Sequence, residues 1–218
     1  MDTPALGGTL FHRGAEADLY VSRVGAWDLV VKRRTRKKYR EQELDNRIRR
    51  ARTAREATAL HEARRAGVRT PIVLLVDLEK TTIVMTYVKG LLARDGLERG
   101  SSRSILRIFR ELGRQIGLLH SGGIVHGDLT TSNIIVAGRD TPFILDFGMS
   151  SWSTEIEDRG IDLHLLRRSL ATTHVVDEES SSRAVSNGYK EILGPRKGRE
   201  TFRKAAEIAR RGRYFALR

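Results

Sequence analysis

Three side chains near the middle of this chain have the types and spacing to grip a metal–nucleotide complex and to orient an acceptor. Asp128 and Asn133 lie in the run HGDLTTSN, residues 126–133, and Asp146 opens Asp146-Phe147-Gly148. An alcohol or water that attacks a phosphate needs a carboxylate beside it, and metal-bound phosphates need oxygen ligands from neighbouring loops. Asp128 is therefore the candidate general base or hydroxyl-orienting group. Asn133 and Asp146 are the candidate metal ligands, and an amide oxygen with a carboxylate suits hard Mg2+. His126 is read as packing support for the loop. Apolar Ile134-Ile135-Val136 follow Asn133, and Ile144-Leu145 precede Asp146, so both loops are expected to hang from buried strands.

Further candidates lie upstream. Lys32 ends the apolar run Asp28-Leu29-Val30-Val31-Lys32, and a lysine held on a buried strand can reach two phosphates. Glu56, on a long charged helix, is the expected partner that steadies it. The turn Gly14-Ala15-Glu16-Ala17 is the candidate phosphate cover. It has a single glycine, and Glu16 must turn away from the phosphates or engage the lysine or metal system. Backbone groups around Thr86 to Val88 are assigned to the nucleotide base, with Met85 bordering its pocket.

The elements that must position these groups change character along the chain. Residues 9–35 read as strands and turns, and residues 41–66 as one helix that Gly67 and Pro71 stop. Strands resume over 73–78 and 82–88. Ile105, Ile108, Phe109, Leu112, Ile116 and Leu119 then recur at helical spacing, giving one buried stripe. The reading is an α+β, small bilobal chain. Residues 1–88 form a sheet with one long helix, and residues 89–218 form a helical lobe with the catalytic loops and a basic tail.

The composition narrows the classes. With no cysteine, disulfides, thiolate metal sites and cysteine nucleophiles are excluded. Forty Lys and Arg against 27 Asp and Glu give a formal charge of +13, which serves equally an acidic partner or nucleic acid and a generally basic, soluble surface. No apolar run reaches membrane-spanning length, and residues 1–20 lack a secretory pattern. A cytoplasmic protein without membrane contact is expected.

The ordered set from Lys32 to Asp146 resembles the kinase catalytic core, with His-Gly-Asp in place of His-Arg-Asp and Thr130 where lysine is common. Only residues 147–161 separate Asp146 from Asp162, and no Ala-Pro-Glu signature occurs there. The activation segment is thus shortened, and a platform for an extended peptide is missing. Asp162, in an apolar helical stretch, is expected to cap that helix or to brace the catalytic loop.

Nearly the whole chain resembles one family more closely. Gly14-Ala15-Glu16-Ala17 with Tyr20, the Lys32 strand and its basic run, Arg52 to Ala57, HGDLTTSN, Asp146-Phe147-Gly148 and Asp162-Leu163 carry the match. They are similar to the small atypical kinase/ATPase of the KEOPS tRNA-modification complex, the Bud32 or p53-related protein kinase family. His164 stands where that family commonly has tyrosine.

The resemblance implies a protein-kinase-like fold with a reduced C-terminal lobe, and ATP and Mg2+ as cofactors. It implies a part in making threonylcarbamoyladenosine (t6A) in tRNA, beside a TsaD-like tRNA threonylcarbamoyltransferase subunit and a small Cgi-type subunit. Asn133 and Asp146 then carry the metal, Asp128 orients water or a hydroxyl, and Lys32 binds phosphates with Glu56 steadying it. ATP hydrolysis supporting tRNA modification leads. An autonomous protein serine/threonine kinase with autophosphorylation is the alternative, and an RNA-binding regulatory adaptor is the second. The basic end, with Arg196, Lys197, Arg199, Arg210, Arg211 and Arg213, is a candidate contact for tRNA phosphates or for the partner protein.

Overall fold

The computed structural model describes residues 8–96, 101–172 and 178–215, and these form two compact units. One takes the chain up to His61 together with Pro71–Val88, and the other takes Glu62–Thr70 with the chain from Lys89 onward. The division therefore differs from a single cut at residue 88. The reason lies in Arg69, whose backbone N–H donates to Gln115 Oε1 at 2.6 Å and whose guanidinium pairs with Glu111 at 2.5 Å. Its carbonyl accepts from Ile144 N at 2.9 Å, so this link is stitched into the second unit.

The first unit is a five-stranded antiparallel sheet in the order β1-β2-β3-β5-β4. Its strands are β1 (Thr9–Arg13), β2 (Ala17–Val24), β3 (Trp27–Arg34), β4 (Val73–Asp77) and β5 (Thr82–Thr86). Side chains alternate across a strand, so Val30, Lys32 and Arg34 share one face of β3. Cross-strand register aligns Leu19, Lys32 and Ile83 in one row and Val21, Val30 and Met85 in the next.

Helix α1 (Gln42–Arg65) buries Asp45, Thr53, Glu56, Ala57, Leu60 and Ala63. These positions fall on one face of the helix. That face is half polar, so α1 is joined to the sheet largely by side-chain hydrogen bonds. Arg49 donates to Thr81 Oγ1 at 2.8 Å, and Asp45 accepts from Lys37 N at 3.2 Å.

The second unit includes the short helix α2 (Ala93–Gly96) and is built on α3 (Ser102–Ser121), whose N-cap Ser101 accepts from Ser104 N. All six residues of the expected stripe are buried. Helix α5 (Glu178–Leu193) packs across α3 at very close range. A Cβ at Gly113 would collide with the Val185 carbonyl, and one at Gly188 with the Arg110 carbonyl. Helices α4 (Ile156–Ala171) and α6 (Pro195–Phe215) complete the helical layer.

The basic end is thus a packed helix. Thr201 and Ala205 are buried, and the Phe202 ring meets Tyr189 edge-on at 5.7 Å. Short strands hold the loops: β6 (Gly90–Leu92), β8 (Ile134–Ala137) and β9 (Thr141–Ile144) form one sheet, and β7 (Ile124–Val125) pairs with β10 (Ser151–Trp152).

Candidate nucleotide and metal site

In the first unit, Lys32 Nζ donates to Glu56 Oε1 at 2.6 Å, and Arg34 donates from NH2 to Glu56 Oε2 at 2.6 Å. The side chains of Lys32, Arg34 and Glu56 are 7%, 4% and 1% exposed. One carboxylate therefore holds two cations with its two oxygens, and its orientation is set from both sides. Sequence reasoning placed Lys32 and Glu56 and gave Arg34 no role. Strand alternation separates the two arginines: Arg33 points out, and Arg34 turns in beside Lys32.

Gly14–Ala17 is a tight turn closed by Gly14 N donating to Ala17 O at 3.0 Å. A Cβ on Gly14 would sit 2.9 Å from that carbonyl, which accounts for the glycine. Glu16 engages neither Lys32 nor a metal ligand. It pairs with Arg52 on α1 at 2.6 Å, because its position ahead of β2 faces the basic side of that helix. The Ala15 carbonyl accepts from Lys37 Nζ, so two cations from the basic run and α1 hold the turn.

At Thr86 the backbone N–H of the base-edge expectation is already committed. Its N–H donates to Ile72 O at 2.9 Å, and its hydroxyl accepts from Ile72 N at 2.9 Å, because residue 86 completes the sheet. Of Thr86 and Val88, only Val88 keeps an uncommitted backbone N–H among the described residues. Met85 is buried in β5 on the face that carries Val30 and Lys32.

In the second unit, β8 and β9 pair through Ile134 and Ile144, and Leu145 N donates to Asn133 O at 2.8 Å. This ladder puts Asn133 and Asp146 at the same end of the hairpin. Asn133 Nδ2 donates to the Asp128 carbonyl at 2.8 Å and to Asp128 Oδ2 at 2.9 Å. With its NH2 committed, Asn133 leaves its Oδ1 as an acceptor for a cation. Asp146 is exposed and adopts a left-handed conformation with φ 54°, and its Oδ1 accepts from Gly148 N at 3.2 Å. An amide oxygen and a carboxylate at one hairpin end fit a hard divalent cation.

The catalytic loop is held from beneath. His126 Nε2 lies 2.8 Å from the Leu145 carbonyl, and Asp128 N donates to His126 Nδ1 at 3.3 Å. A carbonyl only accepts, so Nε2 carries the proton and Nδ1 receives the Asp128 N–H. The ring also packs on buried Phe147, with centroids 4.8 Å apart. Asp162 is buried in the interior of α4, where it cannot cap the helix; Glu155 holds the N-cap. Its carboxylate instead accepts from His126 N at 2.6 Å, Gly127 N at 2.8 Å and His120 Nε2 at 3.2 Å. Burial raises the Asp162 pKa, but the hydrogen bonds from His120 and the His126 backbone N–H outweigh it and leave it below the ordinary value.

Gly127 has φ +79°, and a Cβ there would strike the Met149 carbonyl. A side chain in place of this glycine is thus excluded by backbone and space together. His164 lies half-buried on α4, its pKa lowered by burial and by Arg168 and Arg167.

On α6, Arg196, Lys197, Arg199 and Arg210 are exposed. Arg211 is tied to Glu157 of α4 at 2.9 Å, and Lys204 to the same carboxylate at 3.1 Å. The side chains of Arg213, Tyr214 and Phe215 lie outside the described residues.

A sheet bearing a lysine–glutamate pair, and loops bearing Asp128, Asn133 and Asp146, define a kinase-like protein. Residues 25–159 match the RIO domain model. The chain is 43% identical over 211 residues to the KEOPS complex subunit Bud32 of Pyrococcus abyssi, covering 94% of this chain and 96% of that one. It belongs to the RIO-domain family and, within it, to the Bud32 proteins.

It is also 40% identical over 202 residues to a probable bifunctional tRNA threonylcarbamoyladenosine biosynthesis protein of Methanothermobacter thermautotrophicus, spanning 36% of that longer protein. Among solved structures, the Rio2 kinase of Chaetomium thermophilum superposes with a TM-score of 0.63 at 16% identity, over 92% of this chain and 73% of that one. This likeness establishes the kinase-like fold. No helix among the described residues is long and apolar enough to cross a membrane.

Proposed function

We propose that this protein is a Mg2+-dependent ATPase of the atypical kinase class that supports t6A modification of tRNA as the Bud32 subunit of a KEOPS complex. The observation that carries the reading is the placement of Asn133 and Asp146 at one hairpin end, with Asp128 hydrogen-bonded to Asn133, on a chain similar to Bud32 over nearly its full length. Lys32 binds nucleotide phosphates, and Glu56, gripped by Arg34, sets its direction. Val88 offers a backbone N–H to the base beside Met85. Asn133 and Asp146 hold the cation, which when bound neutralises phosphate charge. Asp128 orients the attacking hydroxyl or water and accepts its proton.

Only residues 147–161 connect the metal loop to Asp162, which disfavours an extended peptide acceptor and makes water a natural one. The expected partners are a TsaD-like transferase subunit, a Cgi-type subunit, and tRNA met through the complex and the exposed cations of α6.

The test is reconstitution with a TsaD-like partner and tRNA, following ATP hydrolysis and modified nucleoside together. Hydrolysis that depends on partner or tRNA, is coupled to modification and is abolished by Asp146→Ala is the expected result. Labelled phosphate moving to a protein serine or threonine, without effect on modification, would replace this reading with the protein-kinase one. Turnover unchanged in Asp146→Ala would refute the metal role.

A further inference from the structure

Tyr189 lies on α5, outside the catalytic motifs, yet its side chain is fully buried and its hydroxyl is 2.9 Å from His120 Nδ1. Burying a phenol without a partner is costly, so the hydroxyl must hydrogen-bond. Thr201 also hydrogen-bonds the hydroxyl, and His120 is itself part of a chain. His120 Nε2 lies 3.2 Å from Asp162 Oδ2, and Asp162 accepts from the backbone N–H groups of His126 and Gly127. Those two residues lead directly into Asp128.

The direction of each bond follows from chemistry. An ionised carboxylate only accepts, so His120 donates Nε2–H to Asp162. Burial lowers the His120 pKa, which keeps the ring neutral and leaves Nδ1 an acceptor. Tyr189 must therefore donate its O–H to Nδ1, and burial pushes that phenol up to about 12, so the proton stays in place. Small residues make the approach possible. Gly188, adjoining Tyr189, packs against the Arg110 backbone of α3, and Gly113 against the Val185 backbone of α5. The Tyr189 ring meets the His120 ring edge-on, with centroids 5.6 Å apart.

We infer that Tyr189 is a positioning residue for the catalytic loop: its hydroxyl, donated to Nδ1, pins the His120 ring in the orientation that donates Nε2–H to Asp162, and Asp162 thereby holds the backbone leading to Asp128. The kinetic part of this inference rests on the ATPase reading above; the hydrogen-bond chain does not. A ring present only for volume would need no hydroxyl, and phenylalanine would serve equally.

The experiment uses the full chain and Tyr189→Phe, which keeps the ring. Long-range proton–nitrogen NMR should report His120 as the Nε2–H tautomer in both proteins, with the Nδ1 resonance of the variant moved toward that of an acceptor without a hydrogen bond. In the assembled complex, kcat for ATP hydrolysis should fall about 10-fold, within the roughly 100-fold that a 1 Å misplacement can cost, while KM for ATP stays within about twofold. Because Tyr189 acts through His120, Tyr189→Phe should add nothing further in a His120→Gln background.

A wild-type His120 protonated at Nδ1 would overturn the inference, as would kcat within about twofold of wild type in Tyr189→Phe or additive effects of the two substitutions. Absence of turnover in the wild-type complex would refute the ATPase reading and with it the kinetic role. The tautomer measurement would still decide the hydrogen-bond chain.

Discussion

Replacing Glu56 by glutamine tests the clasp that holds Lys32, the lysine proposed to bind phosphates. The change keeps the shape of the side chain and removes its charge. Glu56 now accepts from Lys32 and Arg34 at 2.6 Å each, and the side chains are 7%, 4% and 1% exposed for Lys32, Arg34 and Glu56. A glutamine has one acceptor oxygen, so it can serve only one of the two cations and must turn its NH2 toward the other.

Arg34 already has a buried Nε without a hydrogen-bond partner, so the loss falls on a group with little reserve. Removing one member of a buried ion pair costs about 3–5 kcal/mol. At about 2–4 °C per kcal/mol for a chain of this size, the melting temperature should drop by roughly 6–20 °C. Lys32→Met is the control: it leaves Arg34 paired with Glu56 and should cost less than half as much while abolishing turnover. Circular dichroism melts of the three proteins in one buffer suffice. A drop below about 2 °C in Glu56→Gln, or an equal drop in Lys32→Met, would refute the argument that the clasp is a buried charge-dependent unit.

Two other expectations concern pH and the last helix. The His120 pKa is lowered by burial from its ordinary 6.5, so the unfolded chain takes up a proton at a higher pH than the folded one. Stability from this group is complete above pH about 6.5 and declines as pH falls toward the lower folded value; melting temperatures that fall no faster in wild type than in His120→Gln across that window would contradict it. Deleting residues after Arg210 removes the Arg211–Glu157 pair but leaves Lys204 on Glu157. Nucleotide affinity should stay within about twofold, a change of roughly 0.4 kcal/mol, while tRNA modification by the complex weakens; equal modification by truncated and intact protein would sink this prediction.

How far such groups can be found without coordinates depends on whether their partners are local. The α3 stripe was legible because six apolar residues recur at helical spacing and a helix buries such a face. The pairing of Lys32 with Glu56 was accessible through the familiar order of a lysine strand and a charged helix. Arg34 was missed for want of applying strand alternation inside a basic run: residue 34 shares the face of residue 32, whereas residue 33 does not. The engagement of Glu16 by Arg52 joins residues far apart in sequence, and charge counting could not choose among the basic side chains nearby. That the Thr86 N–H is spent on the sheet was not legible, because a strand's last residue and a free connector look alike in sequence, and only the bond to Ile72 distinguishes them. Tyr189 carried no signal at all. Its role depends on the close approach of α5 to α3 that Gly113 and Gly188 permit.

The glycine in His-Gly-Asp and the shortened segment after Asp146 have one structural explanation. Gly127 adopts φ +79° with the Met149 carbonyl against the place a Cβ would occupy, so the chain after the metal loop lies directly on the catalytic loop. Any side chain at residue 127 would have to displace that chain. What the loop lacks in side-chain tethers at this residue it has in backbone ones, since the N–H groups of His126 and Gly127 both end on Asp162. Their anchor is buried in α4, joined through His120 to α5, and needs no modified residue to complete it. A catalytic loop held in this way is set by the helical core. Control of its chemistry then falls to whatever supplies the acceptor, which fits an ATPase working inside a complex better than a kinase switched by phosphorylation of its own activation segment.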